Sequence, residues 1–274
     1  MSQLRADEAA SDAVLRISIP PIEDSASNHS VYFPQMLQLA LEKTRDSDGP
    51  FEIIPYSQLL TTARFLQELT QDGVVNVMWI MRNTEHEQDL LAVPVPLLKG
   101  LNSHRIFLIK DSAQESFAAI NSLQQLRQLR AGQGAHWVDV DVLQANGLPV
   151  VVSAHYELLF NMLAQRRFDY FPRGLYEIWD EHKKHADKGL AIEQTLMFYY
   201  PAPIYFFTSP KRPELADRIY RGLKIALEDG SFDQLFLSIP GFKRGYEELY
   251  NHKRRIFHLT HPDTDDSRVD IVDP

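Results

Sequence analysis

The stretch YFFTSPKRPELADRIYRGLKIALEDGSFDQLF, residues 205–236, decides the fold. It opens in a strand-rich aromatic run (195–209) and passes through a Pro-bearing loop into a helix over 213–230. Pro213 suits the first helical turn, and Gly230 suits the end. Leu215, Ile219, Leu223 and Ala226 form one apolar stripe. Strand, loop and amphipathic helix in that order form one unit of an α/β protein.

The same alternation runs upstream. Leu15, Ile17 and Ile19 alternate with polar residues as a half-buried strand. A helix is expected over 33–44, a strand over 51–56, a helix over 62–73 ended by Gly73, and a buried strand over 74–81. There follow a strand at 105–109, mainly helix over 114–130, a tight turn at Gly132-Gln133-Gly134 and a helix over 137–146. Then come a strand at 149–154, a helix at 156–167, a strand at 168–172 and a helix across 175–187. The tail from Thr260 reads as acidic and loose. Strands alternating with helices give an α/β class with mostly parallel sheets. No linker or internal repeat is visible.

Composition narrows the function. The 274 residues are 44% apolar and 24% charged, enough for a sizeable core, and the net charge is −9. Nucleic-acid binding is disfavoured, because phosphate contacts need clustered Lys and Arg. There is no cysteine, hence no disulfide, thiolate catalysis or Cys-ligated zinc. No stretch approaches the ~20 apolar residues of a membrane span.

Three stretches in this order resemble the type II periplasmic solute-binding proteins that bind polar amino acids. They are MWIMRNTEHEQDLLAVPVP (78–96), LAQRRFDYFPRG (163–174) and the stretch quoted first. The resemblance covers roughly residues 14–240. It implies two α/β lobes joined by two crossing strands, near Ser103–Phe107 and Ile204–Phe207. Lobe 1 would hold 14–104 plus 206–274, and lobe 2 would hold 105–205. Ligand would sit in the inter-lobe cleft, with hinge closure around it. By the same resemblance the protein is a monomeric, non-catalytic receptor in the periplasm that passes its solute to a membrane transporter permease. A signal peptide would then have been removed, although a cytoplasmic start reads the same. A sensory or scaffold module of the same fold is the alternative. Neither metal nor cofactor is expected.

The ligand residues depart from the pattern. The resemblance puts a carboxylate-holding Arg three positions after the loop Thr; counted from Thr84, that position is Glu87. It puts an amine-holding Asp five positions after Asp169, where Gly174 stands beside Arg173. A free α-amino acid is therefore disfavoured. The ligand-binding candidates are Arg82, Asn83, Thr84, Glu87, Gly134, His136, Trp137 and Arg173. The two arginines suit an anion, as would N–H groups at Gly132, Gly134 and His136 ahead of the helix that begins near Trp137. Arg82 reads equally well as a surface partner of Glu85 or Glu87, and Arg173 as a structural residue of its lobe. Trp79 reads as core. Glu85-His86-Glu87 reads as a charged turn, His182 and His185 as exposed helix residues, and Lys253-Arg254-Arg255 as a solvated face.

Overall fold

The computed structural model describes residues 14–22, 31–82, 84–135, 137–251 and 253–262. The chain forms two compact units, residues 1–97 with 203–239 and residues 98–202 with 240–274.

Unit 1 begins with β1 (Leu15–Ile19), α1 (Tyr32–Lys43), the short α2 (Arg45–Asp48) and β2 (Phe51–Pro55). It continues with α3 (Thr62–Gln71), β3 (Val77–Met81), α4 (Thr84–Asp89) and β4 (Leu91–Val93). Unit 2 holds β5 (His104–Lys110), α5 (Gln114–Ala118), α6 (Leu123–Leu126), β6 (Ala131–Gly134), α7 (Val138–Ala145) and β7 (Val150–Ser153). Then come α8 (Tyr156–Ala164), β8 (Tyr170–Gly174), α9 (Ile178–Lys184), β9 (Leu190–Ile192) and β10 (Leu196–Tyr199). The chain returns to unit 1 for β11 (Ile204–Thr208), α10 (Pro213–Glu228) and α11 (Ser231–Ser238). It ends in unit 2 with α12 (Pro240–Asn251) and β12 (Arg255–His258).

In unit 1, β1 pairs parallel with β2, while β11 lies between β3 and β4 and antiparallel to both. Asn76, just before β3, joins the two sets. Its Oδ1 accepts from Ser18 N (2.9 Å), and its own N–H donates to Ser18 O (2.8 Å). α10 buries the predicted stripe and packs tightly on α1, because Gly222 leaves no side chain in the way. A Cβ there would stand 1.9 Å from Ala40 O.

The sheet of unit 2 runs β12-β10-β5-β8-β6-β7, with β9 also on β5. β5 is antiparallel to β8, β9 and β10, whereas β6–β7, β6–β8 and β10–β12 are parallel. Each unit is thus mixed, with one strand, β11 in unit 1 and β5 in unit 2, running against all the strands it pairs with, and in each that strand is the first to follow a change of unit.

Several expectations are corrected. The chain changes unit at 97–98, 202–203 and 239–240, once more than expected. The third change carries residues 240–262 into unit 2, where β12 pairs with β10. Gly132 and Gly134 are buried members of strand β6, not a turn: both are laddered to β7. The stop of α3 is Asp72, in the left-handed region at φ 57°, rather than Gly73. Arg254 is not solvated; it is buried, with Nη1 3.5 Å from Glu193 Oε2 and Nε 2.6 Å from Glu248 Oε1. His185 is buried and stacked on Phe160 at 3.7 Å, and His182 Nε2 meets Leu190 O at 3.0 Å.

Candidate functional site

The candidate residues fall in two places, one in each unit. In unit 1, apolar β3 ends at Met81 and the chain turns directly into α4. The segment expected as a polar loop is therefore partly helical, with Leu90 N donating to His86 O (2.9 Å). Arg82 is buried, only 6% exposed. Its guanidinium grips Glu87 with two parallel bonds, Nε to Oε1 at 2.7 Å and Nη2 to Oε2 at 3.0 Å. Such a fork is the strong geometry for a guanidinium and a carboxylate. Thr84 opens α4; Asn83 lies outside the described residues. Trp79 stacks on Phe33 at 5.5 Å.

In unit 2, β8 supplies the centre. Alternation along the strand puts Phe171 and Arg173 on one face. Arg173 is buried against the start of α9, where Glu177, the residue just before the helix, and Glu181 within it stand four positions apart. Its Nε lies 2.8 Å from Glu181 Oε2, and its Nη2 lies 2.6 Å from Glu181 Oε1 and 3.0 Å from Glu177 Oε2. Three rings surround the guanidinium: Trp137 at 4.7 Å, Phe171 at 4.8 Å and Tyr156 at 5.7 Å. The Tyr156 hydroxyl donates to Glu181 Oε1 (2.5 Å). Burial works against the charge on Arg173, but Glu177 and Glu181 outweigh it and push its pKa further up. Burial, reinforced by Glu181, raises that of the Tyr156 phenol.

Gly134 belongs to this cage as a spacer. A Cβ there would stand 2.4 Å from the Trp137 ring, so glycine lets the indole lie over β6. His136 lies outside the described residues.

A second buried ion pair adjoins the first through β5, where Arg105 is paired in register with Gly174. Arg105 Nε donates to Asp139 Oδ1 (2.9 Å), and the Tyr200 hydroxyl donates to the same oxygen. Burial would raise the Asp139 carboxyl, but the Arg105 charge overrides it and holds it below its ordinary value. Gly174 N donates to Glu177 Oε1 (3.0 Å), tying the two pairs together. The composite holds two guanidiniums and three carboxylates.

The structure therefore brings Trp137, Arg173 and Gly134 together, and Arg82 with Glu87. In each arginine the Nε–Nη2 edge is already engaged by carboxylates of its own unit. Glu177, Glu181, Tyr156, Arg105, Asp139 and Tyr200 were not singled out from the sequence. The i, i+4 spacing of Glu177 and Glu181 behind Arg173 was a usable signal. Arg105 and Asp139, 34 positions apart, gave none. Among the described residues, no group of three or more His, Asp or Glu could hold a metal, and no helix is long and apolar enough to cross a membrane.

No family model matches the chain, and no curated protein matches it in sequence. Solved structures do match it. One, from Bacillus subtilis, is described as the probable amino-acid ABC transporter extracellular-binding protein ytmK. It is 17% identical, with a TM-score of 0.60 over 84% of this chain and 100% of the other. The Salmonella typhimurium periplasmic binding protein STM4351, described as having high arginine specificity, is 11% identical. Its TM-score is 0.58 over 82% of this chain and 99% of the other. An ancestral amino-acid-binding protein, described as a precursor of cyclohexadienyl dehydratase, is 13% identical, with a TM-score of 0.56 over 87% and 99%. At these identities the likeness establishes architecture: the chain has the α/β fold of the type II periplasmic solute-binding proteins.

Proposed function

We propose that this protein is a receptor for a small polar solute that it delivers to a membrane transporter permease, outside the cytoplasm. The observation that carries this reading is the fold shared with amino-acid-binding proteins across more than four-fifths of the chain. We further propose that the ligand is uncharged or cationic rather than anionic. An anion approaching the Nε–Nη2 edge of Arg82 would compete with Glu87, a carboxylate tethered five residues away and so present at high effective concentration. The half-buried Glu87 carboxylate would also repel it. The cluster around Arg173 carries one more carboxylate than guanidinium, which again favours a donor over an acceptor.

Binding rather than catalysis is favoured because Glu87, Asp139, Glu177 and Glu181 are each held by an arginine, which removes them as general bases. The same saturation favours one second reading, a sensory or scaffold module of this fold whose original ligand residues now serve stability.

A thermal-shift screen separates the readings. The library holds amino acids, amines, small peptides, dicarboxylates, sugar acids and phosphates. A ligand at about 100 times its Kd should add ~2.7 kcal/mol of stability. The expected hit is an amine or an uncharged polar molecule, weakened in Glu87→Gln. An anionic hit lost in Arg82→Ala would overturn the ligand class. Silence from a folded protein would shift the reading to the sensory or scaffold module.

A further inference from the structure

Unit 2 carries a partly open cavity of about 320 Å³ that the Arg173 cluster does not use. It lies between α5, α6 and the loop from α8 to β8. Its floor is apolar: Phe117, Ile120, Leu129 and Phe168. Its rim carries Lys110, Arg166 and Asp169. The floor depends on Gly132, where a Cβ would stand 2.2 Å from the Phe168 ring; without one the ring lies against β6.

The rim charges are unequally occupied. Asp169 Oδ2 already accepts from Arg130 N (2.7 Å), and Arg130 Nε stands 3.6 Å away. Lys110 Nζ donates to Lys188 O (3.1 Å), and Arg166 Nη2 donates to Ser112 Oγ (3.0 Å). Both are neutral acceptors, and among the described residues no carboxylate pairs with either cation. Arg166 also sits at φ 56°, in the cap that ends α8, with Arg166 N bonded to Leu163 O and Arg167 N to Met162 O. Glycine is the residue favoured at such a position. An arginine there keeps its side chain at a conformational cost.

We propose that this cavity is a second ligand site, for a small amphipathic carboxylate. Its ring or short alkyl chain lies against Ile120 and Leu129, above the buried Phe117 and Phe168, and its carboxylate bridges Lys110 and Arg166. An apolar floor with a few convergent charges at one end is the usual build of a small-molecule pocket, and the volume falls at the lower end of the ~300–1,000 Å³ range. The site does not rest on the solute-receptor reading.

Isothermal titration with phenylacetate, against 2-phenylethanol as its uncharged match, tests this. Phenylacetate should bind the wild-type protein at least about tenfold more tightly than the alcohol, since only the acid gains the two charge-assisted contacts. Arg166→Gly keeps the left-handed cap and removes the guanidinium. It should weaken phenylacetate about tenfold or more while leaving the melting temperature unchanged or higher. Ser116→Trp, at an exposed lining position of α5, should fill the cavity and abolish binding in a protein that still folds. The proposal fails if phenylacetate shows no heat up to about 10 mM, if acid and alcohol bind alike, or if either variant binds as the wild type does.

Discussion

Replacing Arg173 by alanine would strip the positive charge from between two carboxylates that stay buried. Breaking a buried ion pair from one side costs about 3–5 kcal/mol, and urea denaturation should read a loss of that order. The cage left behind would keep Glu181, Glu177, Trp137 and Phe171 in place around a guanidinium-sized gap. Millimolar methylguanidinium should therefore raise the melting temperature of Arg173→Ala and leave the wild type unmoved; equal responses would show that the cage collapses. At this scale the sequence was half legible. Arg82 with Glu87 was visible as a pair of near neighbours in the chain, whereas Trp137 and Arg173, though each a candidate, gave no sign of their contact. The occupancy of the guanidiniums was not visible either, because it depends on α9 folding back over β8 and on the approach of Asp139 to Arg105. Nor could the Gly132-Gln133-Gly134 run be read correctly. Its glycines look like turn residues until the rings of Phe168 and Trp137 that cover them are seen.

Helix α10 shows how an element carries more than its stripe. Its apolar face was readable from spacing, but its contacts with α1 and α2 were not. Gly222→Ala should force α10 away from the Ala40 carbonyl and cost about 1–3 kcal/mol, as overpacking does. A lower urea midpoint with an unchanged slope would confirm it. On the polar side, Arg221 forks onto Asp48, Nη2 to Oδ1 at 2.6 Å and Nη1 to Oδ2 at 3.0 Å, fastening α10 to α2. The Arg221 hydrogen bonds hold the Asp48 carboxyl down at about 2, from 3.8. The folded pKa is the lower one, so this contribution is fully present above pH 4 and fades as the pH falls from about 4 through 2. In a series of melts, wild type should exceed Asp48→Asn at pH 5 and the gap should close by pH 2. A gap that is constant with pH would exclude the ion pair as its source.

Over the whole chain, strand and helix alternation was enough for the class and for the order of most elements. α11, α12 and β12 were not expected from the sequence, although Phe232, Leu235, Phe236 and Ile239, then Phe242, Tyr246 and Leu249, stand at helical spacing; the basic run before β12 looks solvated. Yet Arg254 reaches Glu193, which is fully buried, and β12 extends the sheet of unit 2. Deleting residues 253–274 should destabilise unit 2 by about 3–5 kcal/mol, as expected for a buried charge left without its partner. Hydrogen exchange should then show protection lost in β10 and β5 and kept in β1 and β3. Uniform loss in both units would mean that they do not melt independently. The three changes of unit also set a timetable for synthesis. Residues 14–97 leave the ribosome without β11, the strand that belongs between β3 and β4. At ~5–20 residues per second, the roughly 105 residues that separate them take about 5–20 s to make. For that interval the facing edges of β3 and β4 have no partner. A nascent chain paused at that point should be the one most prone to capture by chaperones or to aggregation.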